Sequence, residues 1–315
     1  LDASSNPVPG VLVVLAGTGT GNTITQPSAL TNSSGVATGS IVSTVQAAKT
    51  ISATANGSAV TATDVATFAL SPATILGSAL AAWFDASDAT TITSGANGVS
   101  AWSDNVSGNP DLVQATDANK PNVGAAAVNS LDALLFVGAN SELLHAAAPV
   151  TASPFRVFAV VKALTVSPAT NYYIVGLTDE GNEGQERFYG RVTGTGGVGD
   201  AWQWRATSGG SGQDAVEQNV VNGSTRLFMC VESGTRRDVE VDGQLLDGSP
   251  ELTTVAPTGI DKLDVGSFIS SGTPSNGFDG YICEIVIVDE TAGAISAQQL
   301  SDLEDYFERW GITIP

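Results

Sequence analysis

Two tryptophans and their neighbours are the residues whose types and spacing most directly suggest binding chemistry. Trp202 and Trp204 are two positions apart in a predicted strand, so both rings face the same side of it. Flat apolar rings complement the C–H face of a sugar ring. With Arg205 and Tyr189 near the pair, the pattern predicts a glycan-binding face if that side of the sheet is open. If it is closed, both rings fill the core.

Two groups of acidic side chains offer the oxygen ligands that calcium prefers. The first group lies in a glycine-rich run and comprises Asp179, Glu180, Glu183 and Glu186. The second group comprises Asp85, Asp88 and Asp104. The spacing of the first group matches no known calcium loop. The alternatives are a solvated loop for the first group and contacts between each aspartate and its own turn for the second.

Signals for catalysis and for redox chemistry are weak. His145 is the single histidine, and no nucleophile motif accompanies it. No cluster of cysteine and histidine has the spacing of a transition-metal site. Cys230 and Cys283 each lie in an apolar strand-like run, so they form a disulfide only if those strands are neighbours; two buried free thiols are the alternative.

Charge is distributed very unevenly along the 315 residues. The net charge is −20, and the first 72 residues contribute only Asp2, Asp64 and Lys49 to it. A surface with this much negative charge repels phosphate backbones, which argues against nucleic-acid binding. No apolar run approaches the roughly 18 residues of a membrane span, so we expect no membrane insertion. Solubility is the simplest role for the charge.

The low charged fraction and the many Gly, Ala, Ser and Thr residues favour short strands and turns. Four β-branched runs separated by turn residues lie within the first 70 or so residues, which is typical of a small β-sandwich. Turns are predicted at Asn32-Ser33-Ser34-Gly35 and at Asn56-Gly57. We place this domain at 1–72, a linker at 73–79 and a second domain at 80–315.

The small domain resembles the bacterial immunoglobulin-like modules of invasin- and intimin-type adhesins. The residues that carry the resemblance are Pro7 to Val11, Leu30 to Thr38 and Ile51 to Gly57. The resemblance implies a spacer or anchor in a bacterial surface protein or a phage virion protein. This copy looks short at its start, and an unpaired sheet edge there would invite contacts with a partner.

The second domain contains many predicted strands and one well-marked helix. Ser296 and Gln299 form a predicted capping box, and Gly311 ends the helix. The apolar stripe that should pack on the sandwich comprises Leu300, Leu303, Phe307 and Trp310. The sequence therefore predicts an all-β protein: a small Ig-like sandwich, then a larger two-sheet jelly roll with a C-terminal helix.

The second domain resembles the concanavalin A-like, laminin-G-like jelly rolls. The matching segments are Leu80 to Asp88, Val99 to Asn109, Val239 to Gly243, Val265 to Gly266, Phe278 to Ile285, and Ser296 with its helix. The resemblance implies that Trp83 and Trp102 are core residues. Some relatives are glycoside hydrolases with a Glu-x-Asp-x-x-Glu run. Glu240 and Asp242 begin such a run, but a two-residue hairpin turn at Asp242-Gly243 explains it better.

Two functions from different classes follow from these features. The first is a non-enzymatic, surface-displayed attachment module that contacts glycans or a host surface, extracellular on a bacterial cell or a phage virion. The second is a structural decoration protein whose small domain docks on a virion or another surface assembly. Glycoside hydrolysis ranks third. Calcium binding and a homo-oligomer stay open.

Overall fold

The computed structural model describes residues 5–43, 47–68, 70–164, 171–182, 186–194, 200–209, 211–218, 223–245, 251–252, 257–270 and 273–315. The chain forms two compact units, Leu1–Ile75 and Leu76–Pro315. A short helix, α1 (Pro72–Leu76), and a 3₁₀ turn, Gly77–Ala79, occupy the segment predicted as a linker. Within the described residues, no helix has the length and apolarity needed to cross a membrane.

The small unit consists of two antiparallel sheets. Its strands are β1 (Val13–Gly17), β2 (Asn22–Thr25), β3 (Ser40–Ser43), β4 (Ala47–Ala55), β5 (Ser58–Ala59) and β6 (Asp64–Phe68). In the first sheet β4 pairs with β1, β5 and β6, and in the second sheet β2 pairs with β3. Both predicted turns are confirmed: Asn56 and Gly57 have φ values of 47° and 82°, and the Gly35 amide donates to the Asn32 carbonyl.

The small unit has a thin interior. Among residues 5–43 and 47–68 the buried positions are Thr31 and Lys49, and Pro72 and Ile75 are buried at the C-terminal end of the unit. The Lys49 ammonium donates to the Thr20 carbonyl over 2.7 Å, so its charge is held inside by a hydrogen bond. Seven large apolar side chains are exposed: Leu12, Val14, Leu30, Val36, Val42, Val60 and Val65.

The larger unit is a two-sheet β-sandwich. Its strands are β7 (Leu80–Asp85), β8 (Ile92–Gly95), β9 (Gly98–Trp102), β10 (Leu112–Val113), β11 (Asn122–Val128), β12 (Leu131–Phe136), β13 (Leu144–Ala147), β14 (Phe155–Ala163), β15 (Asn171–Thr178), β16 (Arg187–Gly194), β17 (Asp200–Ser208), β18 (Ser211–Gln218), β19 (Thr225–Glu232), β20 (Arg236–Val241), β21 (Glu251–Leu252), β22 (Lys262–Val265), β23 (Phe268–Ser270), β24 (Thr273–Ser275) and β25 (Gly280–Asp289).

The nine-stranded sheet has the order β18-β17-β16-β15-β22-β13-β10-β9-β8. The eight-stranded sheet has the order β11-β12-β25-β14-β19-β20-β21, with β7 also pairing with β25. Strands β23 and β24 form a separate hairpin. One apolar core contains residues from both sheets, for example Phe84, Trp102, Val157, Leu177 and Ile285. The expected jelly-roll-like, all-β architecture is therefore what the larger unit adopts.

Helix α2 (Ala297–Phe307) begins with the predicted capping box between Ser296 and Gln299. Its buried side chains include Leu303 and Phe307, and a 3₁₀ turn, Glu308–Trp310, continues it to Gly311, whose φ is 77°. The Phe307 ring lies 5.8 Å from that of Phe158 in β14. The helix therefore covers the side of the eight-stranded sheet that faces away from the core.

Below this helix, Glu284 of β25 is fully buried and accepts four hydrogen bonds. Its Oε1 accepts from Trp83 Nε1 (2.7 Å) and from the Tyr306 hydroxyl (2.8 Å). Its Oε2 accepts from Arg309 Nη2 (2.6 Å) and from Trp310 Nε1 (2.7 Å). We call these five residues the helix clasp. The clasp also corrects the expectation for Trp83, which lies under the helix rather than in the core because its indole N–H serves Glu284.

Arg309 connects the clasp to Asp85 of β7. Its Nη2 lies 2.9 Å from Asp85 Oδ2, and its Nη1 donates to the Ser87 hydroxyl over 3.2 Å. The guanidinium also lies over the Tyr306 ring, 4.5 Å from the centroid. A buried carboxylate is tolerated only when its oxygens are hydrogen-bonded and its charge is paired. The clasp supplies both conditions.

Cys230 and Cys283 are buried free thiols. Cys230 lies in β19 and Cys283 in β25, and β14 separates these two strands in the sheet. Of the two alternatives left by the sequence, the free thiols are what the structure contains. Burial raises the pKa of both thiols well above the ordinary range.

We expect both cysteines to be inert toward a thiol reagent such as Ellman's reagent while the protein is folded. A thiolate is the reactive species, and burial suppresses both its formation and its access. The measurement compares thiols titrated in native buffer with thiols titrated in denaturant. Full reactivity on unfolding with none in native buffer is the expected result; rapid labelling of the native chain would contradict the burial of these two strands.

Candidate functional site

The outer face of the nine-stranded sheet gathers basic and aromatic side chains on β16. Phe188 and Val192 point into the core. Because successive side chains alternate between the two faces of a strand, Arg187, Tyr189 and Arg191 lie on the opposite face. Tyr189 belongs to a separate aromatic cluster with Tyr173 and Phe268 on that face. The outer face therefore combines arginine and tyrosine side chains, whereas the inner face of β16 contributes Phe188 and Val192 to the core.

The sequence-based interpretation of Trp202 and Trp204 as a sugar-stacking platform is wrong. Both rings are in the core, with 1% and 0% of their surface exposed. Trp204 lies 6.1 Å from Phe155 and 6.4 Å from Phe188, ring centre to ring centre. The two tryptophans do share one side of β17, as their spacing predicts. That side is the one that the eight-stranded sheet covers.

Arg205 and Tyr189, the other two predicted ligand residues, lie on the outer face. They are directly opposite each other on β17 and β16. Arg191 is opposite Gln203, and its Nε donates to the Gln203 Oε1 over 2.7 Å. The structure therefore separates the four predicted residues into a pair in the main core and a pair on the outer sheet face, where Tyr189 is buried and Arg205 is half-buried.

Two guanidinium groups flank the Tyr189 ring. The Cζ of Arg187 lies 4.8 Å from the ring centroid and that of Arg191 lies 5.5 Å from it. Arg187 is also 4.5 Å from the centroid of Phe268, which the β23–β24 hairpin contributes. Cation–π contacts of this kind hold a guanidinium in place without neutralising its charge. We call Arg187, Tyr189, Arg191, Gln203 and Arg205 the arginine face.

Tyr173 of β15 borders the arginine face. Its ring centroid lies 4.8 Å from that of Tyr189 and 4.2 Å from that of Phe268. Burial and the neighbouring Tyr189 raise the pKa of Tyr173 to about 12. The phenol is therefore neutral at physiological pH, and its hydroxyl remains a proton donor.

The acidic loop predicted as a calcium site is engaged in holding loops together. Glu186 Oε1 accepts from the Ser208 hydroxyl (2.9 Å) and the Gly209 amide (2.7 Å), and its Oε2 accepts from the Thr258 amide (3.0 Å). Burial acts to raise the pKa of Glu186, but these three hydrogen bonds lower it below the ordinary value.

The other members of that acidic group point to different partners. Asp179 Oδ1 accepts from the Gly181 amide, and Glu180 pairs with Lys262 over 3.0 Å. Glu183 lies outside the described residues. The three carboxylates of this group that the structure describes therefore form hydrogen bonds or an ion pair with other parts of the protein.

The second predicted calcium group is likewise dispersed. Asp85 accepts from Ser87, Asp88 accepts from Thr90, and Asp104 accepts from the amides of Trp83 and Val106. The contacts with Ser87, Thr90 and Val106 are the turn contacts that the sequence left as the alternative, whereas the Trp83 amide belongs to another strand. In the described part of the chain, no three histidine, cysteine, aspartate or glutamate side chains converge to hold a metal ion.

The incomplete hydrolase run ends in the predicted hairpin turn. Asp242 and Gly243 have φ values of 53° and 72°, and Val241 exchanges hydrogen bonds with Gln244 across them. Asp242 also pairs with Arg226 and accepts from the Leu227 amide over 2.9 Å. Its carboxylate therefore connects the turn after β20 to Arg226 and Leu227 of β19.

His145 lies half-buried on β13, on the same outer sheet face as the arginines, opposite Asp264 of β22. Burial, and then the charge of Lys262, hold its pKa below the ordinary value of 6.5. The folded chain therefore binds fewer protons at this residue than the unfolded chain as the pH falls past 6.5. The stability that neutral His145 contributes is present above that pH and is lost below it.

Because the chain has a single histidine, its titration can be followed without assignment. We expect the imidazole C–H resonance in an NMR pH titration of the folded protein to have its midpoint below 6.5. The same resonance in the urea-unfolded chain is the control and should titrate at the ordinary value. A folded midpoint at or above 6.5 would contradict the half-buried position described for His145.

Sequence reasoning missed Arg187 and Arg191. The signal was available in the run Arg187-Phe188-Tyr189-Gly190-Arg191, which alternates long polar or aromatic residues with apolar or small ones. Such alternation predicts a strand with one buried face.

Comparison with known proteins gives similarities of fold. No family model and no curated protein matches the chain. Among solved structures, domain 4 of AbnA, a GH43 extracellular arabinanase from Geobacillus stearothermophilus, in complex with arabinotriose, has 14% identity and a TM-score of 0.49, covering 71% of this chain and 98% of that one. A Trypanosoma rangeli sialidase in complex with sialic acid has 17% identity and a TM-score of 0.48, covering 75% and 35%.

Tailspike protein 2 from Escherichia coli O157:H7 bacteriophage CAB120 is similar at 12% identity with a TM-score of 0.44, covering 65% of this chain and 28% of that one. This chain thus spans about a third of the length of the sialidase and less of the tailspike. At these identities and TM-scores, none of the three determines the ligand or the activity of this chain.

Proposed function

We propose that this chain is a non-enzymatic attachment module that binds glycans through the arginine face of its larger unit. The small unit serves as a spacer or anchor, with the protein displayed outside a bacterial cell or on a phage virion. The observation that carries this proposal is the concentration of Arg187, Arg191 and Arg205 around Tyr189 on one sheet face.

Arginines are suited to this role because the guanidinium presents several donors in a fixed plane, which match hydroxyl and carboxylate oxygens. Gln203 adds an amide next to them, and Tyr173 adds a neutral phenol close to the ring of Tyr189. Three arginines lie close together on two adjacent strands of a chain of net charge −20, and Asp214 of β18 is directly opposite one of them, Arg205. A ligand that accepts hydrogen bonds fits such a surface.

The arrangement of carboxylates supports a non-catalytic role. A glycosidase needs two of them about 5–10 Å apart beside the bond that breaks. Asp85 and Glu284 share Arg309, but both are buried beneath the C-terminal helix. Glu232 is buried with Arg237, at 2% and 0% side-chain exposure. All three carboxylates are buried, with Asp85 and Glu284 sharing the single cation of Arg309, so none of them is open to a sugar.

A glycan array probed with the intact chain, with and without calcium, tests the proposal. We expect binding to a restricted set of glycans and a loss of at least about tenfold in affinity for Arg191→Glu, because a charge-assisted hydrogen bond contributes roughly 1.5–3 kcal/mol. Arg236→Glu is the matched control, since Arg236 is a half-exposed arginine on the other sheet. The absence of any bound glycan under both conditions would refute the glycan proposal.

A second candidate, favoured by the surface of the small unit, is a decoration protein that docks on a virion or other assembly. Its exposed Val42 and Val65 each have 60% of their surface accessible. Apolar surface left exposed in this way gains free energy when a partner covers it. The near-neutral charge of the first 72 residues, set by Asp2, Asp64 and Lys49, also suits protein contacts.

Co-sedimentation of the purified full chain with particles from its source tests this second candidate. We expect wild-type chain to pellet with the particles and a Val42→Glu, Val65→Glu double variant to stay in solution. Arg191→Glu is the control and should pellet like the wild type, because Arg191 is in the larger unit. A wild-type chain that is monomeric and stays in solution would contradict docking.

A further inference from the structure

The larger unit has an open cavity of about 410 Å³ at the end of the sandwich where β12 finishes and β25 begins. Its wall comprises Gly138, Ala139, Tyr172, Asn276, Gly277 and Asp279. The volume falls in the range of roughly 300–1,000 Å³ that is typical of ligand sites. Asn276 is exposed and Asp279 is half-buried, so a ligand from solvent can reach the polar groups of the wall.

Backbone contacts support the wall of this cavity. The Tyr173 amide donates to the Asn276 carbonyl over 3.1 Å. The backbones at Gly138 and Gly277 approach so closely that a Cβ atom on Gly138 would lie 2.7 Å from the Gly277 carbonyl oxygen. The side chains of Asn276 and Asp279 therefore extend from a supported backbone, which lowers the entropic cost of binding.

Asp279 brings a negative charge to the cavity. Within the described part of the chain its carboxylate forms no ion pair, and the hydrogen bond from the Leu164 amide goes to its backbone carbonyl. The buried Glu142 is close enough to be affected by this charge. Its carboxylate accepts from the Val137 amide (2.7 Å) and from Asn140 Nδ2 (3.2 Å), and burial, then the charge of Asp279, raise its pKa. The cavity therefore favours a ligand with a positive charge.

The other groups of the wall favour an amino sugar over a metal ion. Calcium takes about six to eight oxygen ligands, more than one carboxylate and one amide oxygen supply. The Asn276 amide both donates and accepts hydrogen bonds, which suits sugar hydroxyls. Tyr172 contributes part of an aromatic ring, which suits the C–H face of a sugar. An amino sugar combines these features with an ammonium group, which a carboxylate binds through a charge-assisted hydrogen bond.

We propose that this cavity binds an amino sugar whose unsubstituted ammonium group pairs with Asp279. This inference rests on the proposed glycan-binding function and adds a second site with a stated class of ligand. Tyr172 of the cavity wall directly precedes Tyr173, which borders the arginine face. The two regions therefore adjoin at the start of β15.

Isothermal titration calorimetry of the full chain with three tetrasaccharides of the same cellulose-type backbone tests the inference. The probes are the glucosamine tetramer, which carries ammonium groups at mildly acidic pH, the N-acetylglucosamine tetramer, which carries neutral amides, and cellotetraose, which carries hydroxyls. We expect the glucosamine tetramer to bind and the other two to bind at least about tenfold more weakly.

Variants connect this binding to Asp279. We expect Asp279→Asn, which keeps the shape and removes the charge, to weaken the glucosamine tetramer at least about tenfold, and Asp279→Glu to weaken it less. The thermal unfolding midpoint of Asp279→Asn should stay close to that of the wild type. Asp111→Asn removes an equal charge at an exposed position before β10 and should bind within about twofold of the wild type.

Three results would overturn the inference. If cellotetraose or the N-acetylated tetramer binds as tightly as the glucosamine tetramer, the ammonium group is not recognised. If Asp279→Asn and Asp111→Asn weaken the glucosamine tetramer equally, the attraction is to the overall negative charge. If the glucosamine tetramer does not bind but the array yields another glycan whose binding is lost in Arg191→Glu, the glycan-binding function survives and the cavity site is wrong.

Discussion

Replacing Glu284 by alanine is expected to destabilise the folded larger unit by about 3–5 kcal/mol, the cost of breaking a buried ion pair by removing one partner. The substitution leaves Arg309 with a weaker set of acceptors and removes the acceptor of three neutral donors: Trp83 Nε1, Tyr306 Oη and Trp310 Nε1. Glu284 is the acceptor that the structure describes for each of these three donors, so the substitution leaves all three without a described hydrogen-bond partner. Helix α2 should detach from the eight-stranded sheet earlier in unfolding.

Urea unfolding followed by circular dichroism and by tryptophan fluorescence measures this effect. Glu284→Gln is expected to be destabilising as well, because the amide nitrogen of glutamine faces two of the four donors and cannot accept from them. Glu308→Ala, an exposed glutamate close to the same helix, is the control and should change the free energy of unfolding by no more than about 0.5 kcal/mol. A Glu284→Ala variant as stable as the control would contradict the helix clasp.

Replacing Trp204 by alanine is the second large effect, with an expected destabilisation of about 3–5 kcal/mol. The ring is fully buried and packs against Phe155 and Phe188, so its removal leaves a cavity between the two sheets. Trp204→Phe keeps most of the volume and removes the indole N–H, which lies near the buried Glu232 carboxylate. We expect it to cost much less than alanine.

Gln203 offers a matched control one position away. Its side chain lies on the opposite face of β17 and contacts Arg191. Gln203→Ala should cost less than about 1 kcal/mol of stability, yet weaken glycan binding. Trp204→Phe should do the reverse and leave glycan binding unchanged. A Trp204→Phe variant that folds normally but fails to bind glycan would contradict this assignment and would indicate that Trp204 contacts the ligand.

Features encoded by local sequence could be predicted without the structure. The capping box of Ser296 and Gln299 and the end of the helix at Gly311 depend on residues a few positions apart, and both are confirmed. The Asp242-Gly243 and Asn56-Gly57 turns are also local, because only residues that tolerate positive φ fit them. In these cases a short window contains all the interactions that matter.

The local sequence of a strand does not determine which of its two faces is buried. The spacing of Trp202 and Trp204 fixed that they share a face, and Gln203 between them and Arg205 after them necessarily take the other. Nothing in β17 alone states which face meets the second sheet. The packing of Phe155 from β14 on Trp204 decides it.

The helix clasp lay beyond prediction for a related reason. Trp83 and Glu284 are 201 positions apart, and their contact exists only because β7 pairs with β25. The carboxylates predicted as calcium ligands illustrate the converse. Asp85 and Asp88 are close in sequence, but each is hydrogen-bonded within its own turn, so proximity along the chain did not make a shared site.

A crystal structure of the full chain grown with a saturating concentration of a glycan that binds in the array tests the central claim most directly. The account predicts saccharide density along β16 and β17 on the outer face of the nine-stranded sheet, within hydrogen-bond distance of Arg191 or Arg205. Saccharide bound only to the acidic loop at Asp179 and Glu180, or only to surfaces away from β16 and β17, would contradict it.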